Sequence, residues 1–417
     1  MGIELNAQQL NCATKAVIWW KTLYKQVFTI TGYAGTGKTT IIRYLMDVLG
    51  LETNEVLFMS FTGKASLVLS RKGNFAKTIH STIYKLEEVV KMDGNGNPIK
   101  HYGRTVKELR FIKRDEISSE IKLLVIDEAS MVNEQIGKDI LSFNIPVIAL
   151  GDLNQIPPVF GEPYFLHESD YNLTKIMRQA ENDPIVHLAT MARLGQHIDF
   201  GVYGGKCFVI PQHEIRDEML TNADIILCGK NKTREEYNNK IKGEILKKDL
   251  SRPCLGDKII CRQNNWTQCI DDVYLVNGLI GYLDGINLAS YDKKSVEIDF
   301  RPEFFEYGKG WQGIKMDYEF FIQPLAIKGN RRSFFNKFEL GYAITTHLSQ
   351  GSEYDNVFIH QEFMGDKHFM KKWLYTGITR ARESVTIAVP TYQAVSNHNF
   401  KFKLSTCCNN SISCNVY

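Results

Sequence analysis

A glycine-rich segment at residues 32–39, Gly-Tyr-Ala-Gly-Thr-Gly-Lys-Thr, has the residue types and spacing of a phosphate-binding loop. The run VFTIT leads into it and TTIIRYLMDVLG follows it, so a strand and a helix are predicted on its two sides. Glycines let such a loop close tightly and turn its backbone N–H groups toward phosphate oxygens. Lys38 then reaches the β- and γ-phosphates, and the Thr39 hydroxyl is a ligand for Mg²⁺. A chance glycine-rich turn is the alternative, but both flanks favour phosphate binding.

Two later segments carry the acids and the amide that nucleotide hydrolysis needs. The apolar run LLVI leads into Asp127 and Glu128, which places one carboxylate near Mg²⁺ and a second where it can polarise a water. The run VIALG leads into Asp-Leu-Asn-Gln, where the Gln155 amide can contact the γ-phosphate or orient the water. Either segment alone could be a helix cap or a turn closed by prolines. After a phosphate loop, the pair predicts hydrolysis rather than phosphoryl transfer to a metabolite.

The elements that must position these groups are parallel βαβ units, whose strands are continuous apolar runs with functional groups at their carboxyl ends. Strands are predicted at 27–31, 56–60, 123–127 and 147–151, and in a second α/β region at 224–228, 340–345, 356–360 and 384–389. Two segments interrupt this pattern. Residues 85–118 predict a protruding β-hairpin with a Gly-Asn-Gly-Asn-Pro tip, and residues 253–335 predict a small inserted β-barrel.

The bulk composition is that of a soluble globular protein with more than one domain. The chain has 417 residues, of which 44% are apolar and 23% charged, and its net charge of +3 predicts no broad basic surface. Its nine cysteines are odd in number and lack metal-ligand spacing, which favours reduced thiols in a cytosolic compartment. No run approaches the roughly 18 apolar residues that span a bilayer, and the N-terminus lacks the pattern of a signal peptide. We therefore expect a cytoplasmic protein with no membrane partner.

Six segments, taken in order, resemble the motifs of superfamily 1 helicases: GYAGTGKTT, VIDEASM, GDLNQIPPV, LTKIMRQ, YAITTHLSQGSEYDNVFI and LYTGITRAR. They are most similar to the 5′-to-3′ branch of the RecD and Dda type, and the similarity runs from Leu5 to about Val389. The resemblance implies an α/β fold of two RecA-like P-loop domains, with a β-hairpin insertion in the first and a small SH3-like β-barrel insertion in the second. The implied boundaries are 1–180 for the first domain with its hairpin at 85–118, 181–252 and 336–402 for the second domain, 253–335 for the barrel and 403–417 for a disordered tail.

The resemblance also implies a site for ATP and Mg²⁺ between the two domains. Gln9 would read the adenine base, and Arg178 and Arg380 match two arginines that reach the γ-phosphate from the far side of the cleft. An arginine finger can be worth about 10³–10⁵ in rate. Because Arg380 lies far from the loop in sequence, it arrives only when a second domain closes over the nucleotide. The implied residues are Lys38, Glu128, Gln155, Arg178 and Arg380 for catalysis, Thr39 and Asp127 for the metal, and Gln9, Gly32, Gly35, Thr36, Gly37, Lys38, Thr39, Thr40, Gln350, Gly351 and Glu353 for the nucleotide.

A strand-binding face is implied at the opposite ends of the same strands. Small hydroxyls, amides and backbone donors suit phosphate oxygens, while His and Phe side chains can stack on bases. Such contacts carry no sequence code, as a protein that moves along a strand requires. A histidine in a Thr-rich strand end is often only a turn residue, which is the alternative for His80 and His347. The implied contacts are Phe61, Thr62, Gly63, Lys64, His80, Asn231, Lys232, Thr345, Thr346, His347 and Ser349.

These features predict an ATP-driven, monomeric DNA helicase that moves 5′ to 3′ along single-stranded DNA and unwinds duplex or forked DNA in replication, recombination or repair. A translocase that displaces proteins or remodels forks without unwinding has the same motifs, and only a separation pin in the hairpin would distinguish it. A nucleotide-gated binding module is a further alternative, which the intact Lys38, Glu128, Arg178 and Arg380 argue against. Replication proteins such as a single-strand-binding protein are the expected protein partners. The resemblance to the Dda type also implies the cytoplasm of a bacterial or phage-infected bacterial cell.

Overall fold

The fold is described from a computed structural model of the chain, which describes residues 4–90, 92–93, 97–101, 104–105, 107–157, 162–176, 183–271, 273–291, 294–325 and 335–391. Within these residues, no helix has both the length and the apolar character needed to cross a membrane. Three larger sheets organise the chain, two of them mainly parallel and one antiparallel.

The strands alternate with helices in the parallel regions and follow one another directly in the antiparallel one. The strands are β1 Val27–Gly32, β2 Val56–Ser60, β3 Ala76–Thr78, β4 Tyr84–Val90, β5 Lys100–His101, β6 Arg104–Thr105, β7 Lys107–Lys113, β8 Leu123–Ile126, β9 Val147–Gly151, β10 Tyr171–Leu173, β11 Gly201–Tyr203, β12 Cys207–Pro211, β13 Ile225–Cys228, β14 Lys258–Cys261, β15 Asn265–Ile270, β16 Val273–Leu275, β17 Ile280–Asn287, β18 Ser295–Pro302, β19 Trp311–Asp317, β20 Phe338–Leu340, β21 Ala343–Thr345, β22 Tyr354–His360 and β23 Ala381–Val389. The helices are α1 Ala7–Thr22, α2 Lys38–Leu49, α3 Gly63–Arg71, α4 Ile79–Ile83, α5 Glu134–Leu141, α6 Pro184–Leu194, α7 Asp217–Thr221, α8 Asn231–Asn239, α9 Tyr318–Ile322 and α10 Lys367–Ile378.

The first sheet is parallel and has the strand order β10-β1-β9-β8-β2-β3. Strands β2, β8 and β9 are buried along their whole length, because helices cover both faces of the sheet. This explains why they are continuous apolar runs rather than alternating ones. Their carboxyl ends therefore meet at one edge of the sheet, where Asp127 follows β8 and Asp152 follows β9.

An antiparallel ribbon stands out from the first sheet. Strands β4 and β7 pair from Tyr84 with Lys113 to Val90 with Lys107. The predicted tip falls partly on residues 94–96, outside the described residues, but Met92 bridges Pro98 on either side of it. A second short ribbon, β5 with β6, follows before β7 begins. The segment thus turns twice between its outer strands, where the sequence predicted a single tip.

The second sheet has the order β11-β12-β23-β22-β13-β21 and is parallel apart from its edge strand β11. Helices α6 and α10 pack together on this sheet, and Trp373 of α10 is fully buried in the shared core. The predicted strand at 340–345 is divided in the structure. Its first part belongs to β20 of the antiparallel sheet, and only Ala343–Thr345 joins the second parallel sheet. The polypeptide therefore crosses between two sheets within this short apolar run.

The antiparallel sheet has the order β19-β18-β17-β14-β20 and encloses its own apolar core, which includes Phe300, Trp311 and Phe338. It packs on one face of α3 of the first domain. Leu67 of α3 packs against this core, and a Cβ atom added to Gly63 would lie 2.1 Å from Val276 Cγ2. The inserted sheet thus contacts the first domain directly, although its chain connections lie in the second.

Candidate nucleotide site and strand-binding groove

The phosphate loop joins β1 to α2 in the conformation that its glycines allow. Gly35 and Gly37 have φ angles of 77° and 76°, in the left-handed region where a side chain is strained. Helix α2 begins at Lys38, so Lys38 and Thr39 occupy its first turn, where the helix dipole favours an anion. The Lys38 ammonium donates to the carbonyl oxygens of Gly32 at 2.8 Å and Tyr33 at 3.0 Å. The lysine therefore lies along the loop whose phosphate ligand it is predicted to bind.

Gln9 supports this loop from α1. Its side chain accepts from the backbone N–H of Asn6 at 3.0 Å and donates to the Thr36 carbonyl at 3.0 Å. The first bond belongs to a capping box that starts α1, so the same amide begins the helix and holds the loop. A Cβ atom on Gly37 would meet the Gln9 amide at 2.4 Å, which is why glycine is required there. The reading of adenine by Gln9 stays a prediction.

The two predicted acids lie where β8 ends. Asp127 donates its backbone N–H to the Met59 carbonyl at 2.9 Å, which keeps it level with the end of β2. Glu128 has a φ of 55°, a conformation that side chains other than glycine rarely adopt and that often marks a functional site. Burial raises the pKa of both carboxyls above their ordinary values, while Arg380 opposes this shift at Glu128 and Lys38 opposes it at Asp127. The site therefore concentrates negative charge that cations from both domains offset.

Gln155 belongs to a turn that the second domain holds in place. The backbone N–H of Ile156 donates to the Thr376 hydroxyl at 3.0 Å, and the Gln350 amide donates to the Ile156 carbonyl at 2.8 Å. The Gln155 side-chain oxygen is buried and has no hydrogen-bond partner within the described structure. A buried unpaired acceptor of this kind suits an amide whose partner is a bound water or ligand.

Arg380 follows α10 and reaches the acids from the second domain. Its Nη1 atom lies 3.9 Å from Glu128 Oε1 and donates to the Ser352 carbonyl at 3.2 Å. Its Nε atom donates to the Thr376 carbonyl at 3.1 Å. The side chain is 5% exposed, and these bonds hold the guanidinium beside the acidic site. Arg178 lies in residues 177–182, outside the described residues, and its role stays a prediction.

A cavity of about 740 Å³ between the two domains brings most of the predicted nucleotide residues together. Helix α3, the inserted sheet at Glu303 and Phe304, and Arg382 of the second domain complete its walls. Gly32, Thr36, Gln9 and Gln350 do not line this cavity; the side-chain amides of Gln9 and Gln350 support it by donating to the carbonyls of Thr36 and Ile156. The predicted residues on its wall are Gly35, Gly37, Lys38, Thr39, Thr40, Asp127, Glu128, Gln155, Gly351, Glu353 and Arg380.

The donor set suits Mg²⁺ held largely by phosphates. Magnesium in nucleotide sites takes one or two protein oxygens and completes its shell with phosphate oxygens and waters. Thr39 and Asp127 offer such oxygens on the same wall of the cavity. No group of three or more His, Cys, Asp or Glu side chains that could hold a metal occurs among the described residues.

A second cavity, of about 330 Å³, contains the core of the predicted strand-binding face. It runs from the first domain across to the second and is closed on one side by the inserted sheet at Val276, Asn277 and Gly278. His80 packs edge-on against Phe61 and against Phe111 of β7, with ring centroids 5.7 Å and 5.9 Å apart. The predicted contacts that line this cavity are Phe61, Thr62, Gly63, Lys64, His80, Asn231, Thr345 and His347.

Three predicted contacts, Thr346, Ser349 and Lys232, do not line this cavity, whereas Lys64 lines it. Thr346 and Ser349 are fully buried and their hydroxyls bond to the carbonyls of Cys228 and Thr346, so they shape the turn and cannot face a strand. Lys232 points away from the cavity, and its side chain is 85% exposed. The Lys64 ammonium lies 3.9 Å from the centre of the Tyr354 ring and 3.8 Å from Glu303, between the two cavities. Burial lowers the pKa of Lys64 to about 8, against the opposing effect of Glu303.

Several residues of both sites were missed from the sequence because they come from distant elements. The inserted sheet contributes Arg262 and Asn264 to the strand cavity, and Arg262 pairs with the buried Glu339 at 2.9 Å. Beside the phosphate loop, the guanidinium of Arg193 lies 3.8 Å from the centre of the Tyr33 ring. No local motif marks these side chains, and a basic residue in an insertion is more often on the surface.

The fold and the two cavities define a P-loop nucleotide hydrolase of the superfamily 1 helicase type. A family model of AAA domains matches residues 14–161, and one of UvrD-like helicase C-terminal domains matches residues 340–388. Together with the six motifs in order, these matches support a superfamily 1 helicase of the 5′-to-3′ branch. The predicted resemblance is thereby confirmed.

Among its relatives, the ATP-dependent DNA helicase Dda of Enterobacteria phage T4 is 25% identical over 87% of this chain and 94% of its own length. An uncharacterized protein of Methanocaldococcus jannaschii is 27% identical over 91% of this chain, and the ATP-dependent RecD2 DNA helicase of Deinococcus radiodurans is 24% identical over 86%. The chain spans 38% and 46% of the lengths of these two larger proteins. The fold is shared with a solved Pif1 helicase structure, described as the basis for DNA unwinding at forked duplex DNA. The two chains have a TM-score of 0.51 and 18% identity, over 93% of this chain and 95% of that one.

Proposed function

We propose that the chain is an ATP-driven DNA helicase that moves 5′ to 3′ along single-stranded DNA and unwinds duplex or forked DNA. The observation that carries this proposal is the approach of Arg380 to Glu128 across the domain interface, at 3.9 Å. Because a cation from one domain completes the acidic site of the other, hydrolysis depends on how the domains are closed. The side chains of the cleft, with Thr39 and Asp127 for Mg²⁺, support ATP hydrolysis as the energy source.

One segment of the second domain joins the nucleotide cleft to the strand groove. Thr345 and His347 line the groove, while Gly351 and Glu353 line the cleft. Gly351 packs against α3 of the first domain, where an added Cβ would lie 3.2 Å from Ala65 Cβ. A change in domain closure at the nucleotide would therefore move groove residues relative to Thr62 and Gly63. This is the coupling that a motor on single-stranded DNA needs.

The two insertions complete the proposal. We assign the antiparallel sheet to an SH3-like barrel that covers the strand groove, and residues 91–106, which the β4–β7 ribbon carries, to a pin that separates the duplex. The ribbon is anchored beside the groove, because Phe111 and Tyr84 pack on His80 and the Tyr84 hydroxyl donates to Asp139 at 2.5 Å. A rigid element so placed can block reannealing while the motor advances. The expected form is a monomer, with a single-strand-binding protein as a partner.

The pin hypothesis predicts a variant that hydrolyses ATP but does not unwind. Residues 91–106 are replaced by Asn-Gly, a two-residue turn that can join Val90 to Lys107 and keep every β4–β7 pair. Melting costs about 1–2 kcal/mol per base-pair step, so loss of the separating element should sharply reduce strand displacement. ATP turnover stimulated by single-stranded DNA should persist, because no wall residue of the nucleotide cavity lies in this segment. Both rates are measured on one preparation, with a thermal melt to verify folding.

The same measurement separates the helicase from a translocase. Wild-type protein should show stimulated turnover and displacement together. If the shortened variant unwinds like the wild type, the ribbon is an ordinary insertion and the pin assignment is wrong. If its turnover falls as much as its unwinding, the segment belongs to the strand groove. A wild-type protein that hydrolyses ATP along single strands but displaces none would be a translocase.

A further inference from the structure

Tyr375, in α10 of the second domain, bridges two parts of the first domain's nucleotide site. Its hydroxyl accepts from the backbone N–H of Ala34 in the phosphate loop at 2.9 Å and donates to Asp152 Oδ2 at 2.5 Å. The side chain is 2% exposed, and burial raises its pKa above the ordinary value, so the hydroxyl keeps the proton that it donates. Both partners lie more than 200 positions away from Tyr375 in the sequence.

Asp152 shapes the turn that carries Gln155. Its other carboxylate oxygen accepts from the backbone N–H of Asn154 at 2.9 Å and from the Asn154 amide at 3.2 Å. Its carbonyl accepts from the Gln155 N–H at 3.2 Å. The carboxylate is 1% exposed, so loss of the Tyr375 donor would leave a buried charge with one fewer partner. The position of the Gln155 amide is thus linked to a hydroxyl from the other domain.

We propose that Tyr375 is a positioning residue that couples domain closure to hydrolysis, because its hydroxyl sets the spacing between the phosphate loop and the turn bearing Gln155. This inference rests on the proposed function. Tyr375 touches no reacting atom and acts through Ala34 and Asp152. In a closed interface both bonds form together with the approach of Arg380, which lies five residues further along the chain. Domain closure therefore brings Arg380 to the acidic site. Through Tyr375 of the preceding helix α10, it also fixes the position of the Gln155 amide.

The test compares Tyr375→Phe with two other variants of the full chain. Tyr375→Phe keeps the ring and removes only the hydroxyl. Asp152→Asn keeps the size of the side chain but leaves one acceptor oxygen in place of two, so it cannot accept from the Tyr375 hydroxyl and from Asn154 at the same time. Tyr237→Phe is the matched control, since it removes a buried hydroxyl that bonds to His360 Nδ1 at 2.8 Å inside the second domain. For each, kcat and KM for ATP are measured with saturating single-stranded DNA, and folding is verified by thermal melt.

We expect Tyr375→Phe and Asp152→Asn each to lower kcat by roughly tenfold or more, the scale of one hydrogen bond to a charged group. KM for ATP should change little, because the lysine and hydroxyl ligands of the loop remain, and the control should keep the wild-type kcat. The double variant should lose little beyond either single variant, because both remove the same bridge.

Near-wild-type kcat in Tyr375→Phe, or losses that simply multiply in the double variant, would overturn the inference. A rise in KM for ATP with kcat unchanged would also contradict it, since that result indicates a role in nucleotide binding. If Tyr375→Phe does not fold, Asp152→Asn alone decides by the same criterion. Absence of stimulated turnover in the wild type would instead refute the proposed function, so the two failures are distinguishable.

Discussion

Replacing Glu128 by glutamine should leave ATP bound but slow its hydrolysis by roughly 10²–10⁴-fold, the usual contribution of a general base. The amide keeps the shape of the carboxylate and its hydrogen-bonding capacity but has no basicity. Binding should persist, because Lys38, Thr39 and Asp127 are unchanged on the cavity wall. The two properties are measured separately, as the affinity for ATP under non-hydrolysing conditions and as single-turnover hydrolysis with single-stranded DNA.

The folding stability of Glu128→Gln is a second, independent test of the Glu128 site. Burial raises the pKa of Glu128, which means that the folded protein disfavours its charged form. A neutral amide should therefore fold as stably as the carboxylate or slightly more so. Glu134→Gln serves as the control, since Glu134 is an exposed acid of the same domain that pairs with Lys138 one helical turn away. Retention of most of the hydrolysis rate in Glu128→Gln would place the base elsewhere.

Replacing Arg380 by alanine should lower kcat about 10³-fold while changing ATP affinity much less. In its proposed role as an arginine finger, the guanidinium would stabilise charge that develops in the transition state, so its contact would strengthen there and contribute mainly to rate. The measurement is kcat and KM for ATP with saturating single-stranded DNA. A variant that keeps a kcat close to that of the wild type would show that Arg380 is only an interface ion pair.

The Arg380→Lys variant distinguishes two roles of this side chain: the proposed arginine finger in hydrolysis and the structural contacts at the domain interface. Alanine removes the donor to the Ser352 carbonyl and one of the two donors to the Thr376 carbonyl, and a buried acceptor left unpaired costs about 1–3 kcal/mol of folding free energy. Lysine keeps the charge and lacks the planar fork that contacts several oxygens at once. We expect it to restore stability better than rate. Equal recovery of both would indicate that charge alone, rather than guanidinium geometry, carries the effect.

The parallel sheets and the nucleotide cleft were predictable because their signals are local. A phosphate loop needs its glycines within eight residues, and strands covered on both faces are continuous apolar runs, as in β2 and β9. The acids and Gln155 then follow strand ends that the topology brings to one edge. Arg380 could be assigned only by resemblance, since nothing near it in sequence indicates what it faces across the domain interface.

The strand groove was predicted less well, for a physical reason that Thr346 and Ser349 illustrate. A hydroxyl in a turn can bond to a ligand or to its own backbone, and the sequence is the same in both cases. Only the fold shows that these two hydroxyls bond to carbonyls. Long-range partners are equally invisible, as in the bond from Tyr375 to Asp152, which joins residues 223 positions apart. The turn in β20–β21 escaped prediction because one apolar run serves two sheets.

Strand displacement from tailed duplexes tests the central claim most directly. Three substrates share one duplex and carry a 5′ single-stranded tail, a 3′ tail or none, and each is incubated with ATP and Mg²⁺. We expect wild-type protein to displace the strand from the 5′-tailed duplex alone, and Lys38→Ala, which removes the main cation for the phosphates, to displace none. Displacement only from the 3′ tail would contradict the polarity. No displacement from any substrate, with ATP turnover indifferent to single-stranded DNA, would contradict the assignment of this protein as a helicase.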